Sequence, residues 1–419
     1  MRIIFSTFGS LGDIHPYLAI ALEAQARGHE PIIATAPKYR AKVENLGLKF
    51  RPIRPDLPPT AEYAPLAKRV MDARDGPRYL FEEILAPSIR EQTDDLLDAC
   101  ADADLVITHP AAMGGPLAAR KLNKRWLSSA LAPISLWSEI DIATPPTVPF
   151  LDWLRVLGPL WAKIYYGLGK LGTRGWIAPV ERLRAEMGLE GEHPMFEGQF
   201  SPFGNLALWS PHFAPPQRDW PHNTTATGFC FYDADGYDGV TDEDDDWRYW
   251  TIQGAAPIVF TLGSSAVYDA GEFWNRSAEY ATRLRSRAIL LTGEPTNINW
   301  PDNVLEVAYA PHSEIFPRAS LIVHQGGAGT TAQALRAGVP QLVMPYAHDQ
   351  PDNARRIRKL GVGRSISRRL YERGSRGDFA LEIMAEARDE CAGYARELGK
   401  RVRAENGPRV ACEVMERLG

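Results

Sequence analysis

The chain has 419 residues and a mass of 46.5 kDa, which is too long for one small core and predicts two or three domains. Hydrophobic residues make up 45% and charged residues 24%, a globular mixture that excludes a disordered or fibrous chain. The 47 Lys and Arg against 52 Asp and Glu give a net charge of -5. Because this balance offers no excess of cations to neutralise phosphates, we expect no nucleic-acid partner.

Cysteine usage and hydropathy indicate a cytoplasmic protein. The four cysteines lie far apart without the spacing of a metal site or a disulfide framework, at Cys100, Cys230, Cys391 and Cys412. The apolar run at residues 3–5 is too short for a signal peptide, and no stretch approaches the roughly 20 apolar residues of a spanning helix. We therefore expect no stable membrane insertion and no bound metal.

The first segment is typical of a βαβ unit. Residues 2–6 predict a strand, residues 7–16 a loop rich in Gly and Asp, and residues 17–27 a helix that Gly28 ends. The strand predicted at residues 31–36 completes the unit. The loop carries Asp13 and His15, and it follows the carboxyl end of a strand, where open parallel sheets bind ligands.

A second unit and an aromatic segment follow. Residues 105–108 predict a strand, residues 109–115 a loop that begins at His109, and residues 116–122 a helix. Between residues 126 and 176 the chain then carries five of its 11 tryptophans, namely Trp126, Trp137, Trp153, Trp161 and Trp176. They are either buried core beneath irregular loops or the wall of a lipophilic pocket, and both interpretations stay open.

The C-terminal half repeats the βαβ rhythm after a change in composition. Prolines and the acidic run at 242–246 indicate a linker, and strands are predicted at 257–262, 288–291, 304–307, 321–324 and 341–344. The predicted boundaries are an N-terminal domain at 1–215, a linker at 216–250, a C-terminal domain at 251–395 and a terminal helical segment at 396–419. The fold class is α/β, with two Rossmann-like, doubly wound domains facing a central cleft and a terminal helix that packs back on the N-terminal domain.

The segment at residues 321–353 has the features of an anion site beside polar side chains. A predicted buried strand ends at His324, and a glycine-rich loop leads into a helix, through Gly326, Gly327, Ala328, Gly329 and Thr330. Free backbone N–H groups at a helix start bind phosphate, and His324 could add a further hydrogen bond. After the next strand come Asp349 and Gln350, which could bind sugar hydroxyls. Together these features suggest a nucleotide sugar.

Four motifs in this order resemble those of family 1 glycosyltransferases of the GT-B fold, in the bacterial form that acts on antibiotics, macrolides and sterols. They are FGSLGDIHP at 8–16, FTLGSSA at 260–266, YAPHSEIF at 309–316 and the segment at 321–353. The resemblance implies inverting, metal-independent transfer from a UDP- or dTDP-sugar to a hydroxyl of a lipophilic acceptor such as a flavonoid, macrolide or sterol. It implies no cofactor beyond the sugar donor.

The resemblance also implies roles for individual residues. Asp13 takes the position of the catalytic carboxylate, with His15 as a rival base or a partner. Further donor contacts fall to Ser264, Ser265, Tyr309, His312 and the residues of the 321–353 segment named above. The aromatic segment also suggests a lipophilic acceptor, and we expect acceptor contacts at His109, Trp137 and Trp153.

The chain departs from the plant members of the family at three positions. His109 lies near the place of the aspartate that orients the plant catalytic histidine, so we expect that dyad to be lost. Gln325 replaces the usual His or Cys, and Ala332 replaces a glutamate that holds ribose hydroxyls. A non-catalytic nucleotide-sugar-binding protein or a nucleotide-sugar epimerase on the same scaffold remains the alternative, and either a monomer or a homodimer is compatible with the sequence.

Overall fold

The structure, a computed structural model, describes residues 1–56, 58, 60–233, 246–373 and 379–418. It divides the chain into two compact units, Met1–Tyr232 with Glu405–Gly419 and Asp233–Ala404. The N-terminal unit thus extends beyond residue 215 and takes the chain back at Glu405. The predicted linker at 216–250 includes a strand of the first sheet, and most of its acidic run lies outside the described residues.

The N-terminal unit is built on a parallel sheet of seven strands in the order β3-β2-β1-β4-β5-β6-β7. The strands are β1 (Arg2–Ser6), β2 (Glu30–Thr35), β3 (Lys49–Pro52), β4 (Leu105–Thr108), β5 (Arg125–Ala130), β6 (Asn205–Ala207) and β7 (Thr224–Ala226). Ser6 at the end of β1 lies opposite Ala34 of β2 and Thr108 of β4. The loops that follow these three strands therefore open at one edge of the sheet.

Both faces of this sheet are covered, as alternation along β1 shows. Ile3 and Phe5 are buried in one hydrophobic cluster, whereas Ile4 is buried in another. The helices that cover the faces are α1 (Leu11–Ala26), α2 (Arg40–Asn45), α3 (Thr60–Val70), α4 (Gly76–Tyr79), α5 (Ile89–Cys100), α6 (Gly114–Lys121) and α7 (Pro159–Glu186).

Helix α1 starts earlier than the sequence predicted. It begins at Leu11, so most of the predicted loop at 7–16 is helical, and Pro16 lies within the helix. The reason is a cap at Ser10, whose backbone N–H donates to the Asp13 carboxylate. Asp13 and His15 therefore lie in the first turns of a helix rather than in an irregular loop.

The C-terminal unit has a parallel sheet of six strands in the order β10-β9-β8-β11-β12-β13. Its strands are β8 (Ile258–Thr261), β9 (Ala288–Leu291), β10 (Val304–Val307), β11 (Leu321–His324), β12 (Gln341–Val343) and β13 (Gly363–Ser365). Its helices are α8 (Asp246–Ile252), α9 (Gly263–Ala266), α10 (Phe273–Arg283), α11 (His312–Ile315), α12 (Ala328–Ala337), α13 (Gln350–Lys359), α14 (Arg368–Glu372), α15 (Phe379–Glu390) and α16 (Ala392–Arg403).

The last helix, α17 (Gly407–Glu416), belongs to the N-terminal unit and packs against α1. Cys412 and Met415 are fully buried in the core cluster that also holds Ile20 of α1. A Cβ at Gly407 would lie 2.5 Å from the carbonyl oxygen of Phe229, so only glycine permits this approach. The predictions of two doubly wound parallel sheets and of a returning terminal helix are confirmed.

The four cysteines are buried and unpaired. Among the described residues, no helix is long and apolar enough to cross a membrane, and no three His, Cys, Asp or Glu side chains cluster as metal ligands.

Candidate active site

The Asp13 carboxylate is held at the amino end of α1 and stays partly open to solvent. Its Oδ2 atom accepts hydrogen bonds from the backbone N–H of Ser10 at 2.7 Å and from the Ser10 hydroxyl at 3.0 Å. Its side chain is 33% exposed. The positive end of the helix dipole favours a negative charge in this first turn. The structure therefore presents Asp13 as an anchored carboxylate that an outside hydroxyl can reach.

His109, the first residue after β4, is the second group at this position. Its Nε2 atom lies 3.8 Å from Asp13 Oδ1, and its side chain is only 8% exposed. Its Nδ1 atom is buried and has no hydrogen-bond partner among the described residues. Burial lowers the pKa of His109 below its ordinary value, and the charge of Asp13 only partly offsets this, so the ring is neutral at pH 7.

Asp13 and His109 thus bring a carboxylate and an imidazole together, with the two residue types at the opposite positions from those of the plant dyad. The sequence contained a signal for this pair. In a doubly wound sheet the first strand lies beside the fourth, so the residues that follow β1 and β4 are neighbours.

His15, the rival base, points elsewhere. Residues two apart on a helix do not share a face, and the His15 ring packs against Tyr232 at a centroid distance of 5.0 Å. The structure therefore separates Asp13 from His15 and pairs it with His109 instead.

Lys38, which follows β2, is a cation that the sequence analysis missed. Its ammonium lies 4.8 Å from the ring centre of Tyr39 and 4.3 Å from that of Tyr63. Partial burial lowers the pKa of Lys38 to about 8, although the charge of Asp13 acts in the opposite direction. Lys38 adds positive potential beside the Asp13 carboxylate.

The predicted acceptor residues fall into different clusters. The Trp137 indole N–H donates to the Met195 carbonyl at 2.9 Å, and its ring stacks on Phe196 at 4.2 Å. Trp137 is therefore part of an aromatic cluster within the unit, while Trp153 is 65% exposed and His109 lies beside Asp13. The buried-core interpretation of the aromatic segment holds for Trp126 and Trp161, which are 2% and 8% exposed.

A cavity opens beside His109 on the side of α6 and α7. Its wall is part polar and part apolar, and includes Ser128, Ser129, Met113, Leu117 and Val180. Both hydroxyls donate within the unit, Ser128 to the Asn205 side chain and Ser129 to the Thr108 carbonyl, so this cavity marks an opening beside His109 without indicating a particular ligand.

The C-terminal unit gathers the predicted donor residues at the carboxyl edge of its sheet. Strands β8, β11 and β12 are adjacent, so the loops that follow them lie side by side. Ser264 and Ser265 start α9 after β8, and both are half-buried. Gly327 caps α12, whose first turn contains Ala328, Gly329 and Thr330. The N–H groups of such a first turn have no partner within the helix and can bind an anion.

The predicted phosphate contact of His324 stays a prediction, and the structure shows which atoms its ring bonds. It has no exposed surface, its Nδ1 atom accepts from the Gly326 N–H at 3.0 Å, and its Nε2 atom bonds Gln341 Oε1 at 2.9 Å. Burial lowers the pKa of His324 to about 4, so the ring is neutral at pH 7. Both ring nitrogens bond within the protein, where they shape the glycine loop.

The glycine loop needs glycine for steric reasons. Gly326 has a φ of +92°, and a Cβ there would lie 2.6 Å from Val343 Cγ1. A Cβ at Gly263, where φ is +63°, would collide with the amide of Gln325. Gln325, the unusual residue of the motif, therefore lies against the β8 loop.

Asp349 and Gln350, the pair predicted to bind the sugar, have different roles. Gln350 is 6% exposed, and its Oε1 atom accepts from the N–H groups of Tyr346 and Ala347 at 2.8 and 3.2 Å. Its carbonyl therefore holds the loop, which corrects the predicted sugar contact for that atom. Asp349 is half-buried and accepts from Asn353 Nδ2 at 2.7 Å.

Asn353 is a positioning residue that sequence reasoning missed. Its single amide group donates both to Asp349 and, at 2.9 Å, to the Gly326 carbonyl. It therefore connects the loop predicted to bind phosphate with the residue predicted to bind sugar. Its place one turn after Asp349 on α13 is the only hint that the sequence offered.

The predicted base-binding segment follows β10. His312 stacks on Phe316 with ring centres 4.3 Å apart, and burial lowers its pKa to about 4. Tyr309 is half-buried in the loop that precedes it. This segment offers flat, neutral rings, as a nucleobase requires.

Comparison with known proteins agrees with this arrangement. The model of the erythromycin biosynthesis protein CIII-like C-terminal domain matches residues 289–405, and that of the glycosyltransferase family 28 N-terminal domain matches residues 3–96. The O-mycaminosyltylonolide 6-deoxyallosyltransferase of Streptomyces fradiae is 31% identical over 99% of this chain and 97% of its own length. The chain belongs to the same family of glycosyltransferases as this enzyme.

Other relatives of this glycosyltransferase are longer or more distant. A sterol 3-beta-glucosyltransferase of Leptosphaeria maculans is 27% identical over the whole chain, which spans 29% of that protein. The solved glycosyltransferase of kitacinnamycin has a TM-score of 0.70 at 19% identity and covers 100% of this chain and 98% of its own. A spinosyn rhamnosyltransferase solved with thymidine diphosphate has a TM-score of 0.64 at 19% identity and covers 99% of this chain and 100% of its own. These structures share the GT-B fold.

Proposed function

We propose that this enzyme transfers a sugar, with inversion, from a dTDP-sugar to a hydroxyl of a lipophilic natural product, with Asp13 as the base and without a metal ion. The observation that carries the proposal is the arrangement of Ser10 and His109 around the Asp13 carboxylate. One carboxylate oxygen is anchored by Ser10, and the other lies 3.8 Å from a buried, neutral His109. A carboxylate oriented in this way can accept a proton in the transition state.

In the proposed step, Asp13 takes the proton of the acceptor hydroxyl while the hydroxyl oxygen attacks the anomeric carbon. The bond between that carbon and the diphosphate breaks, and the diphosphate leaves with the electron pair. His109 keeps Asp13 in place from the buried side. The neutral ring can donate its N–H to the carboxylate. The present distance of 3.8 Å is longer than a hydrogen bond, but catalytic hydrogen bonds are often long before substrate binds.

The C-terminal unit would stabilise the leaving group. The first turn of α12, with Gly327, Gly329 and Thr330, offers backbone N–H groups and a positive dipole end to the charge that develops on the diphosphate. Ser264 and Ser265 add hydroxyl donors from the neighbouring loop, and Asp349 would accept from a sugar hydroxyl. Donors fixed in this way supply the electrostatic role that a metal ion has in other transferases, which supports metal-independent transfer.

Two observations favour thymidine diphosphate over uridine diphosphate. Ala332 is 5% exposed and offers a methyl group where plant members of the family carry a carboxylate for ribose hydroxyls. A structural neighbour was solved with thymidine diphosphate. A site without that carboxylate loses little binding free energy when the nucleotide has no 2′-hydroxyl.

The proposal is tested by a donor and acceptor screen read by mass spectrometry. Purified protein is incubated with UDP- and dTDP-sugars and a panel of macrolides, sterols and phenols, with and without EDTA. We expect product from dTDP-sugars, inversion at the anomeric carbon by NMR, and no effect of EDTA. Donor binding by calorimetry without turnover on any acceptor would favour a non-catalytic binder, and epimerised free donor would favour an epimerase.

A further inference from the structure

Helix α7 exposes an apolar stripe on the side opposite to its packed face. Leu160, Ile164, Leu168 and Leu171 follow helical spacing and are 46–62% exposed. Tyr166, Thr173 and Ile177 on the other side are buried in the N-terminal unit. The stripe extends over about 17 Å at 1.5 Å per residue. The helix therefore has one apolar face that packs inward and a second that faces solvent.

The segment before α7 enlarges this surface. The 3₁₀ stretch Pro149–Leu157 exposes Phe150, Trp153 and Val156 at 72%, 65% and 78%. Among the described residues, nine of the sixteen exposed large hydrophobic side chains lie between 140 and 171. Apolar side chains gathered in this way mark an interaction surface, whereas single exposed ones do not.

The charged residues of α7 before Glu181 are all basic; Lys170 among them pairs with Glu197, and in the preceding segment Arg155 pairs with Asp152. No Asp or Glu occurs from residue 153 to residue 180. Lys163 and Arg174 lie three helical turns apart on one edge of the stripe, both exposed, and neither has an ion-pair partner among the described residues. In a chain with a net charge of -5, an apolar stripe edged by cations is a local exception.

We propose that this surface, defined by Phe150, Val156, Leu160, Ile164, Leu168 and Leu171, docks on an anionic lipid bilayer. Apolar side chains enter the boundary of the acyl region, while lysine and arginine stems extend along it and bring their charges to the headgroups. A second copy of the chain fits less well, because pairing two such faces brings together Lys163 and Arg174 of both copies, while the nearby acids Asp152 and Glu197 already pair with Arg155 and Lys170. The proposal does not depend on the reaction proposed above.

Vesicle sedimentation tests the docking. The full chain is mixed with vesicles of phosphatidylcholine alone and of equal parts phosphatidylcholine and phosphatidylglycerol. We expect sedimentation with the anionic vesicles, with added salt weakening the binding. The double variant Ile164→Glu/Leu168→Glu should bind at least ~10-fold more weakly, since it removes two anchors and adds two anions. Tyr249→Glu/Ile252→Glu on α8 is the matched control and should bind like wild type.

The cations are tested separately. Lys163→Gln/Arg174→Gln should weaken binding to anionic vesicles about 5-fold for each cation removed, and Arg358→Gln/Lys359→Gln should not. Circular dichroism and dTDP calorimetry show that each variant is folded. Wild type that stays in the supernatant, or an Ile164→Glu/Leu168→Glu variant that binds like wild type, overturns the proposal. A wild-type dimer that this variant dissociates, without any vesicle binding, assigns the face to self-association instead.

Discussion

The two parallel sheets have similar topology, but the groups at their carboxyl edges suit different chemistry. In the N-terminal unit a carboxylate is kept available: Asp13 has one oxygen anchored by Ser10 and stays 33% exposed, while His109 lies buried beside it. In the C-terminal unit the buried polar side chains His324 and Gln350 bond within the protein and hold the loops whose backbone N–H groups face outward. Proton transfer needs a free side-chain atom, whereas anion binding needs free backbone N–H groups on a rigid loop.

The largest effect should come from removing the base. Asp13→Asn keeps the shape and the bond to Ser10 but cannot take a proton, so we expect kcat to fall by roughly 10³-fold, within the range for general bases. Product formation is followed by mass spectrometry and dTDP binding by calorimetry, which should be unchanged. His15→Asn is the control and should keep kcat within about tenfold of wild type. The opposite ranking of the two variants would make His15 the base.

The second prediction concerns pH and the internal role of His324. Its folded pKa of about 4 lies below the ordinary 6.5, so between these values the unfolded chain binds a proton that the folded chain does not. The free energy of unfolding should therefore fall as pH decreases from 6.5 to 4, by about 3 kcal/mol from this residue. Urea unfolding of wild type and His324→Gln measures the slope. At pH 7 the variant should have a lower free energy of unfolding than wild type. That free energy should also change less between pH 6.5 and pH 4.

A His324→Gln variant with the full acid dependence would show that His324 titrates freely and is not buried as the structure has it.

The third prediction tests the glycine loop. Gly326→Ala introduces a Cβ against Val343 at a φ of +92°, which costs about 1–3 kcal/mol and displaces the loop. We expect dTDP affinity to fall about 10- to 100-fold, measured by calorimetry. Gly393→Ala on α16 meets nothing within 4 Å and should leave affinity unchanged. Equal affinities in the two variants would exclude this loop from donor binding.

The smallest effect is expected for the partner of the base. His109→Phe fills the same space without a ring nitrogen, so the orientation of Asp13 is lost but its basicity is kept. We expect kcat to fall about tenfold with an unchanged KM for the donor. If the Asp13→Asn and Asp13→Asn/His109→Phe variants have equal rates while His109→Phe alone is impaired, the imidazole acts through the carboxylate. Additive losses would indicate an independent role.

Much of the fold could be predicted because buried parallel strands are short apolar runs ended by glycine or polar residues. The strands at 105–108, 288–291, 304–307 and 321–324 were predicted with the bounds that the structure has. The start of α1 was missed because Gly12 and Pro16 are typical of a loop, and only the Ser10–Asp13 cap overrides them.

The sequence by itself determined the class of enzyme, the βαβ order and the positions of the polar loops, because these depend on local patterns of apolar residues, glycines and motifs. Only the tertiary structure decided what each polar atom bonds. It paired Asp13 with His109 across 96 residues of chain, buried His324 against Gln341, and joined Gly326 to Asp349 through Asn353. Hydrogen bonds are satisfied between elements that are distant in the chain, so the role of a side chain follows from its neighbours in space.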